Sequence, residues 1–271
     1  MKTAVTICLV PEARTGPFVF HDGLEAGCRA AAELGFDGVE LFPTGPDDLA
    51  AAGIRPLLHA AGLGLAAVGT GAGWILHGLS LCHADSGERR RARDFAATLI
   101  DAAGELGAPA IIGSMQGRSG GDVSRDLALG MLAEALGALG DRAAGHGQPL
   151  LYEPLNRYET DLFNRQGDAA AFLEAHGLAT VRLLCDLFHM NIEEADLGGA
   201  IAACGARLGH VHWADSNRRA MGLGHTDGGV VMTGLRAIGY RGWLSGEVLP
   251  WPNPSEAAAR TIASLRRHLG A

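Results

Sequence analysis

Charge is sparse in this chain: Asp, Glu, Lys and Arg make up 19% of its 271 residues, while 48% are hydrophobic. What charge there is leans acidic, at a formal −8. Such a surface repels phosphate backbones, so nucleic acid is not an expected partner. The one basic cluster, Glu88 to Arg93, opens a helix-like run and reads as a solvated face. Five cysteines, odd in number and without a C-x-x-C pair, form neither a disulfide framework nor a cysteine zinc site, and they suit a reducing compartment. No apolar run approaches the roughly 18 residues of a membrane span. The opening MKTAVTICLVPEARTG has too short an apolar part for a signal peptide. A cytoplasmic protein without a membrane partner is the expectation. Also missing are a G-x-G-x-x-G after the first apolar run, a P-loop, and a linker polar enough to divide the chain.

What is present is a rhythm. Short apolar runs, each reading as a strand, alternate with longer helical patterns. The strands are expected at Thr3 to Val10, Asp37 to Phe42, Gly64 to Val68, Pro109 to Gly113, Pro149 to Glu153, Val181 to Asp186, Arg207 to His212 and Gly242 to Val248. A last helix is expected from Ser255, with that serine as N-cap, to Leu269. The glycines at 69, 71 and 73 read as a flexible rim loop that opens no helix, and Asn191 to Glu194 as the approach to the helix at Leu197. Eight strand–helix units without polar alternation in the strands predict a parallel sheet covered on both faces. At this length they predict an α/β fold, a single-domain (β/α)8 TIM barrel over residues 1–271.

Active sites of such barrels lie at the C-terminal ends of the strands. Four consecutive predicted strands end in a side chain able to bind a metal: Glu153, Asp186, His212 and Glu247, separated by 33, 26 and 35 positions. Each step is about one strand–helix unit, so the four should converge on one side of the barrel mouth. Each taken alone could be an ion-paired strand end or a core histidine; their succession favours a shared cation. Three carboxylates and one imidazole suit a hard divalent ion such as manganese, with magnesium or cobalt as alternatives. Glu159, His189 and Arg218 lie in the loops beyond, and His210 precedes His212 on the same face of its strand, where a deeper supporting or core role is expected.

The runs YEPLNRYET (Tyr152 to Thr160), DLFHMNIEE (Asp186 to Glu194), LGHVHWADSNRR (Leu208 to Arg219) and GYRGWLSGEV (Gly239 to Val248) resemble the ketose 3-epimerases, the D-tagatose and D-allulose 3-epimerase group within the xylose isomerase-like TIM barrels. The resemblance implies that Glu153, Asp186, His212 and Glu247 bind the divalent metal, and that Glu153 and Glu247 are also the acid/base pair. It implies that Glu159, His189 and Arg218 hold sugar oxygens, and that the chain assembles as a homodimer or homotetramer.

The loops at Gly69 to Trp74 and Ser114 to Arg118 depart from the linings of those epimerases. There Gln116 and Arg118 offer contacts to a carboxylate or phosphate, unless Arg118 is simply an exposed loop arginine. The alternative activity is an aldose–ketose isomerase of the hydroxypyruvate or keto-inositol type; a non-catalytic sugar-binding protein and a zinc endonuclease for abasic DNA are the remote ones.

Overall fold

A computed structural model describes residues 1–270. Eight strands, β1 (Lys2–Cys8), β2 (Gly38–Phe42), β3 (Gly64–Gly69), β4 (Ala110–Ile112), β5 (Leu150–Tyr152), β6 (Val181–Asp186), β7 (Leu208–His212) and β8 (Trp243–Gly246), form a closed parallel barrel in sequence order. Closure runs through β1 and β8, with Val5 opposite Gly246. Ten α-helices follow among the described residues: α1 (Leu24–Leu34), α2 (Ala51–Ala61), α3 (Ala72–His77), α4 (Ser86–Glu105), α5 (Arg125–Gly145), α6 (Gln166–Ala175), α7 (Leu187–Glu193), α8 (Leu197–Cys204), α9 (Gly228–Ala237) and α10 (Pro254–Leu269).

Strand alternation sorts the side chains into two cores. Outward residues such as Val39, Leu41, Leu183 and Val211 pack under the helices in one large apolar cluster. Ala67, Ile111, Leu151 and Leu184 form a small separate one inside the barrel. The rest of the interior is polar: Thr6, Glu40, His210 and Ser245 are all buried.

Three local expectations are corrected. The glycines at 69, 71 and 73 lead into a helix, α3, and are there for close packing rather than flexibility. A Cβ on Gly69 or Gly71 would meet the Phe42 ring at 2.7 or 2.8 Å, and one on Gly73 the Met115 sulfur at 2.6 Å. The last helix is capped by Asn253, whose side chain accepts from the Glu256 N–H at 2.9 Å, because Pro254 takes the first helical position where no N–H is needed. Residues 187–193 are also helical, since Asp186 accepts from the Phe188 N–H at 2.7 Å and starts a turn directly off the strand.

Candidate active site

The strand ends place the four predicted side chains together. Asp186 and His212 face each other in the β6–β7 register, and Glu153 and Glu247 lie one residue beyond β5 and β8. Each carries one potential ligand atom, and these four atoms lie within 4.8 Å of one another. His212 Nδ1 is 3.5 Å from Glu153 Oε1, 3.5 Å from Asp186 Oδ2 and 3.5 Å from Glu247 Oε2. This buried nitrogen has no hydrogen-bond partner among the described residues. An orphaned buried nitrogen equidistant from three carboxylates fits a cation at their centre, since burial punishes both the unpaired nitrogen and the crowded negative charge.

Two features on other strands make this arrangement possible. A Cβ on Gly113, just past β4, would lie 2.5 Å from Glu153 Oε2, so only glycine leaves room for that carboxylate. On β2, Glu40 accepts from His210 Nε2 at 2.8 Å and lies within 3.3 Å of His212 Nε2, while Thr6 Oγ1 donates to it at 3.3 Å. With Nε2–H turned to Glu40, His212 presents the Nδ1 lone pair to the carboxylates. Glu40 was missed in the sequence because DGVEL reads as an ordinary strand. The period-two alternation that buries Val39 and Leu41 outward was the available signal: it turns Glu40 inward.

Electrostatics follow from the crowding. Burial pushes the Glu247 carboxyl up to about 7; Asp186 and Glu153 add to the rise, while His212 and Arg218 oppose it. Asp186 is buried too, but His189 and Arg218 hold it below the usual carboxylate range. For His212 burial is opposed by Glu40 and Glu247, which carry the imidazole well above its ordinary value. Burial keeps His210 below its ordinary value despite Glu40. The field that draws a proton to His212 is one that draws a metal ion.

Glu159, His189 and Arg218 also reach the site, His189 from α7. His189 Nε2 is 3.6 Å from Asp186 Oδ2. Its Nδ1 accepts from the Asn156 N–H at 3.2 Å, and the Asn156 amide donates to Glu159 Oε1 at 3.1 Å, so Asn156, not singled out from sequence, links the two. Arg218 Nη2 donates to Glu247 Oε2 at 2.5 Å and Asp186 Oδ2 at 3.3 Å, with its guanidinium 4.8 Å over the Phe188 ring. Arg218 sits at φ 57°, the single non-glycine residue among those described with positive φ, a conformation that needs support from its surroundings.

That support comes from Asp215, which accepts backbone N–H bonds from Ser216, Gly222, Gly224 and Thr226 at 2.7 to 2.9 Å. Burial raises the Asp215 carboxyl, but these donors outweigh it and hold the group below its ordinary value. A depressed folded-state pKa contributes stability that is present above the unfolded value, about 3.9, and lost as pH falls through the folded one. The amides of Gly222, Gly224 and Thr226 are therefore expected to stay protected from hydrogen exchange at pH 5 and to lose protection below about pH 4. Protection unchanged down to pH 2 would count against this anchor.

Gln116 is buried and turned into the fold. Its amide donates to the Gly113 and Glu153 carbonyls at 3.0 Å each and accepts from the Tyr152 hydroxyl at 2.7 Å, clamping β4 to β5. A cavity of about 330 Å³ opens over the site, lined by Phe18, Phe42, Ile75, Glu153, Glu159 and Glu247 among others.

Residues 28–268 match the profile of the xylose isomerase-like TIM barrel family. An L-ribulose 3-epimerase of Mesorhizobium japonicum is 31% identical over 231 residues, 83% of this chain and 75% of that protein. A Streptomyces coelicolor protein provisionally named hydroxypyruvate isomerase is 32% identical over 245 residues, 83% of this chain and 85% of its own length. Of several other curated epimerases it matches, the chain spans about half the length or less. The crystal structure of a D-allulose 3-epimerase from Methylomonas sp. superposes with a TM-score of 0.83 at 24% identity, covering 99% of this chain and 98% of that one, which is a likeness of fold. With curated relatives that are epimerases and isomerases, and with a profile match from the first helix to the last, the chain is an isomerase-class enzyme that belongs to the xylose isomerase-like TIM barrel family.

Proposed function

We propose that this enzyme is a metal-dependent sugar epimerase that inverts carbon 3 of a ketose. The observation that carries the proposal is the orphaned His212 Nδ1 facing three buried carboxylates. Glu153, Asp186, His212 and Glu247 hold the ion, which the oxygen-rich donor set suggests is manganese, with magnesium or cobalt able to replace it. When bound, the ion supplies the positive charge that a carbonyl and its neighbouring hydroxyl oxygen need as negative charge develops on them.

The chain's own residues perform the proton transfers. A hydrogen on carbon 3, next to the carbonyl, is removed by one carboxylate, leaving a planar enediolate. The other carboxyl returns a proton to the same carbon from the opposite face, so that no net proton is consumed. Glu153 and Glu247 are this pair. Arg218 spans Glu247 and Asp186 and orients both. Glu159, His189 and Arg218 offer their polar atoms to the sugar oxygens, with Asn156 fixing the first two.

The relation to the Streptomyces coelicolor protein favours a second reading, aldose–ketose isomerisation, in which the proton returns to the adjacent carbon. One experiment decides between them. The manganese-loaded chain is incubated in deuterium oxide with D-fructose, D-tagatose, L-ribulose and hydroxypyruvate, and the products are separated. The expected result is deuterium at carbon 3 with inversion there; carbonyl migration would identify the isomerase, and absence of exchange with every substrate would reject both.

A further inference from the structure

A second cavity, about 710 Å³, lies beside the one over the strand ends and shares Ser114, Leu155 and Glu159 with it. Glu159 thus stands at a junction, facing His189 on one side and the larger space on the other. Ligand pockets run from roughly 300 to 1,000 Å³, so the first cavity alone is adequate for a monosaccharide and the second is surplus to one.

The lining of that second cavity has a definite chemistry. Trp74 and Tyr158 line it and leave 50% and 76% of their surface exposed, two large rings with an apolar body and a polar tip open to a ligand. Around them are hydroxyls from Ser80 and Ser114 and the apolar Val123 and Leu155. Arg118 and the imidazole of His83 stand against the carboxylates of Asp122 and Glu159. That balance does not attract an anion and so argues against a phosphate or carboxylate on the ligand. Flat amphipathic rings interleaved with hydroxyls and mixed charge match an uncharged pyranose, which offers a C–H face to the rings and hydroxyls to the polar groups.

We propose that the preferred substrate is a ketose bearing a glycosidic substituent, with the reacting sugar over the carboxylates and a second, neutral sugar ring in the cavity that Trp74 and Tyr158 line. This rests on the epimerase reading, and it sets the substrate class: an upstream reaction must supply a glycosylated ketose rather than a free one.

Three keto-disaccharides with a free carbonyl test it, because they carry glucose or galactose on different oxygens: trehalulose on carbon 1, lactulose on carbon 4 and isomaltulose on carbon 6. Carbon-3 deuterium exchange by the manganese-loaded chain is compared with that on D-fructose. At least one disaccharide is expected to exceed D-fructose in kcat/KM by about tenfold or more, the effect of roughly one well-placed aromatic contact. Tyr158→Ala and Trp74→Ala are each expected to lower the disaccharide-to-fructose ratio by a similar factor. Both positions are exposed, so the variants should fold, and circular dichroism checks this. Exchange on fructose with no disaccharide preferred overturns the proposal and leaves the epimerase reading standing. So does a ratio unmoved by both substitutions while they dissociate an oligomer, because the aromatic rings would then be covered by a second copy of the chain. No exchange on any of the four sugars removes the epimerase reading and this one with it.

Discussion

Glu247→Gln is expected to lower carbon-3 proton exchange by about 10²- to 10⁴-fold, the contribution of a positioned general acid or base, while keeping the fold. The substitution is nearly isosteric and retains a carbonyl oxygen where the carboxylate oxygen lies, so the geometry around His212 should persist. What it removes is the proton. Glu247 is buried beside Asp186 and His212, and it lines the cavity over the strand ends. A glutamine there can neither take a proton from carbon 3 nor give one back. The amide would also turn either its oxygen or its N–H₂ toward Arg218 Nη2, which now donates to Glu247 Oε2. Manganese affinity, followed calorimetrically, separates the two roles: a modest fall in affinity with a large fall in exchange supports the acid/base assignment. A Glu247→Gln chain that kept its metal and exchanged protons at the normal rate would sink it.

Glu40→Gln should have the other large effect, although Glu40 stands outside the four predicted ligands. Its carboxylate faces two Nε2 atoms, those of His210 and His212, and receives the Thr6 hydroxyl as well. The amide has no negative charge, and its NH₂ replaces one of the two acceptor oxygens that the imidazoles and the Thr6 hydroxyl now share. Each imidazole N–H is then left with a neutral acceptor at best, and a hydrogen bond to an ionised group is roughly twice as strong as a neutral one. The more informative consequence concerns His212. Without a carboxylate to receive Nε2–H, the ring can turn or change tautomer, and Nδ1 no longer points at the three carboxylates by default. Loss of such a supporting carboxylate typically weakens metal binding by about 10- to 100-fold. Titration of the metal-free variant with manganese measures this without reference to turnover. Wild-type affinity in Glu40→Gln would show that the β2 carboxylate does not orient the ligand.

Much of the site was legible because a (β/α) barrel repeats at about one strand–helix unit, and a repeat can be counted. Counting put Glu153, Asp186, His212 and Glu247 at equivalent strand ends, and these residues do meet within 4.8 Å. His210 was legible as a deeper partner because it precedes His212 by two on a strand, and it does point inward, to Glu40. Glu40 was harder. It lies 170 positions from His210, and nothing local in DGVEL tells an inward carboxylate from one meeting solvent. Asn156 was hidden likewise, since a loop asparagine gains its meaning from the His189 ring it contacts on another unit.

The sequence by itself determined the order of the eight strands and the identity of the strand-end carboxylates and imidazole, because these depend on periodicity and residue type. The tertiary structure decided what depends on distance across the barrel. Closure of β1 on β8 and the inward turn of β2 bring Glu40 under His212. Gly113 leaves space for the Glu153 carboxylate, and the glycines at 69, 71 and 73 are set by the ring of Phe42 and the sulfur of Met115 rather than by any need to bend. Two cavities joining at Glu159 belong to the same class of fact. Volume and approach are properties of surfaces brought together by folding, and a linear pattern carries no measure of either.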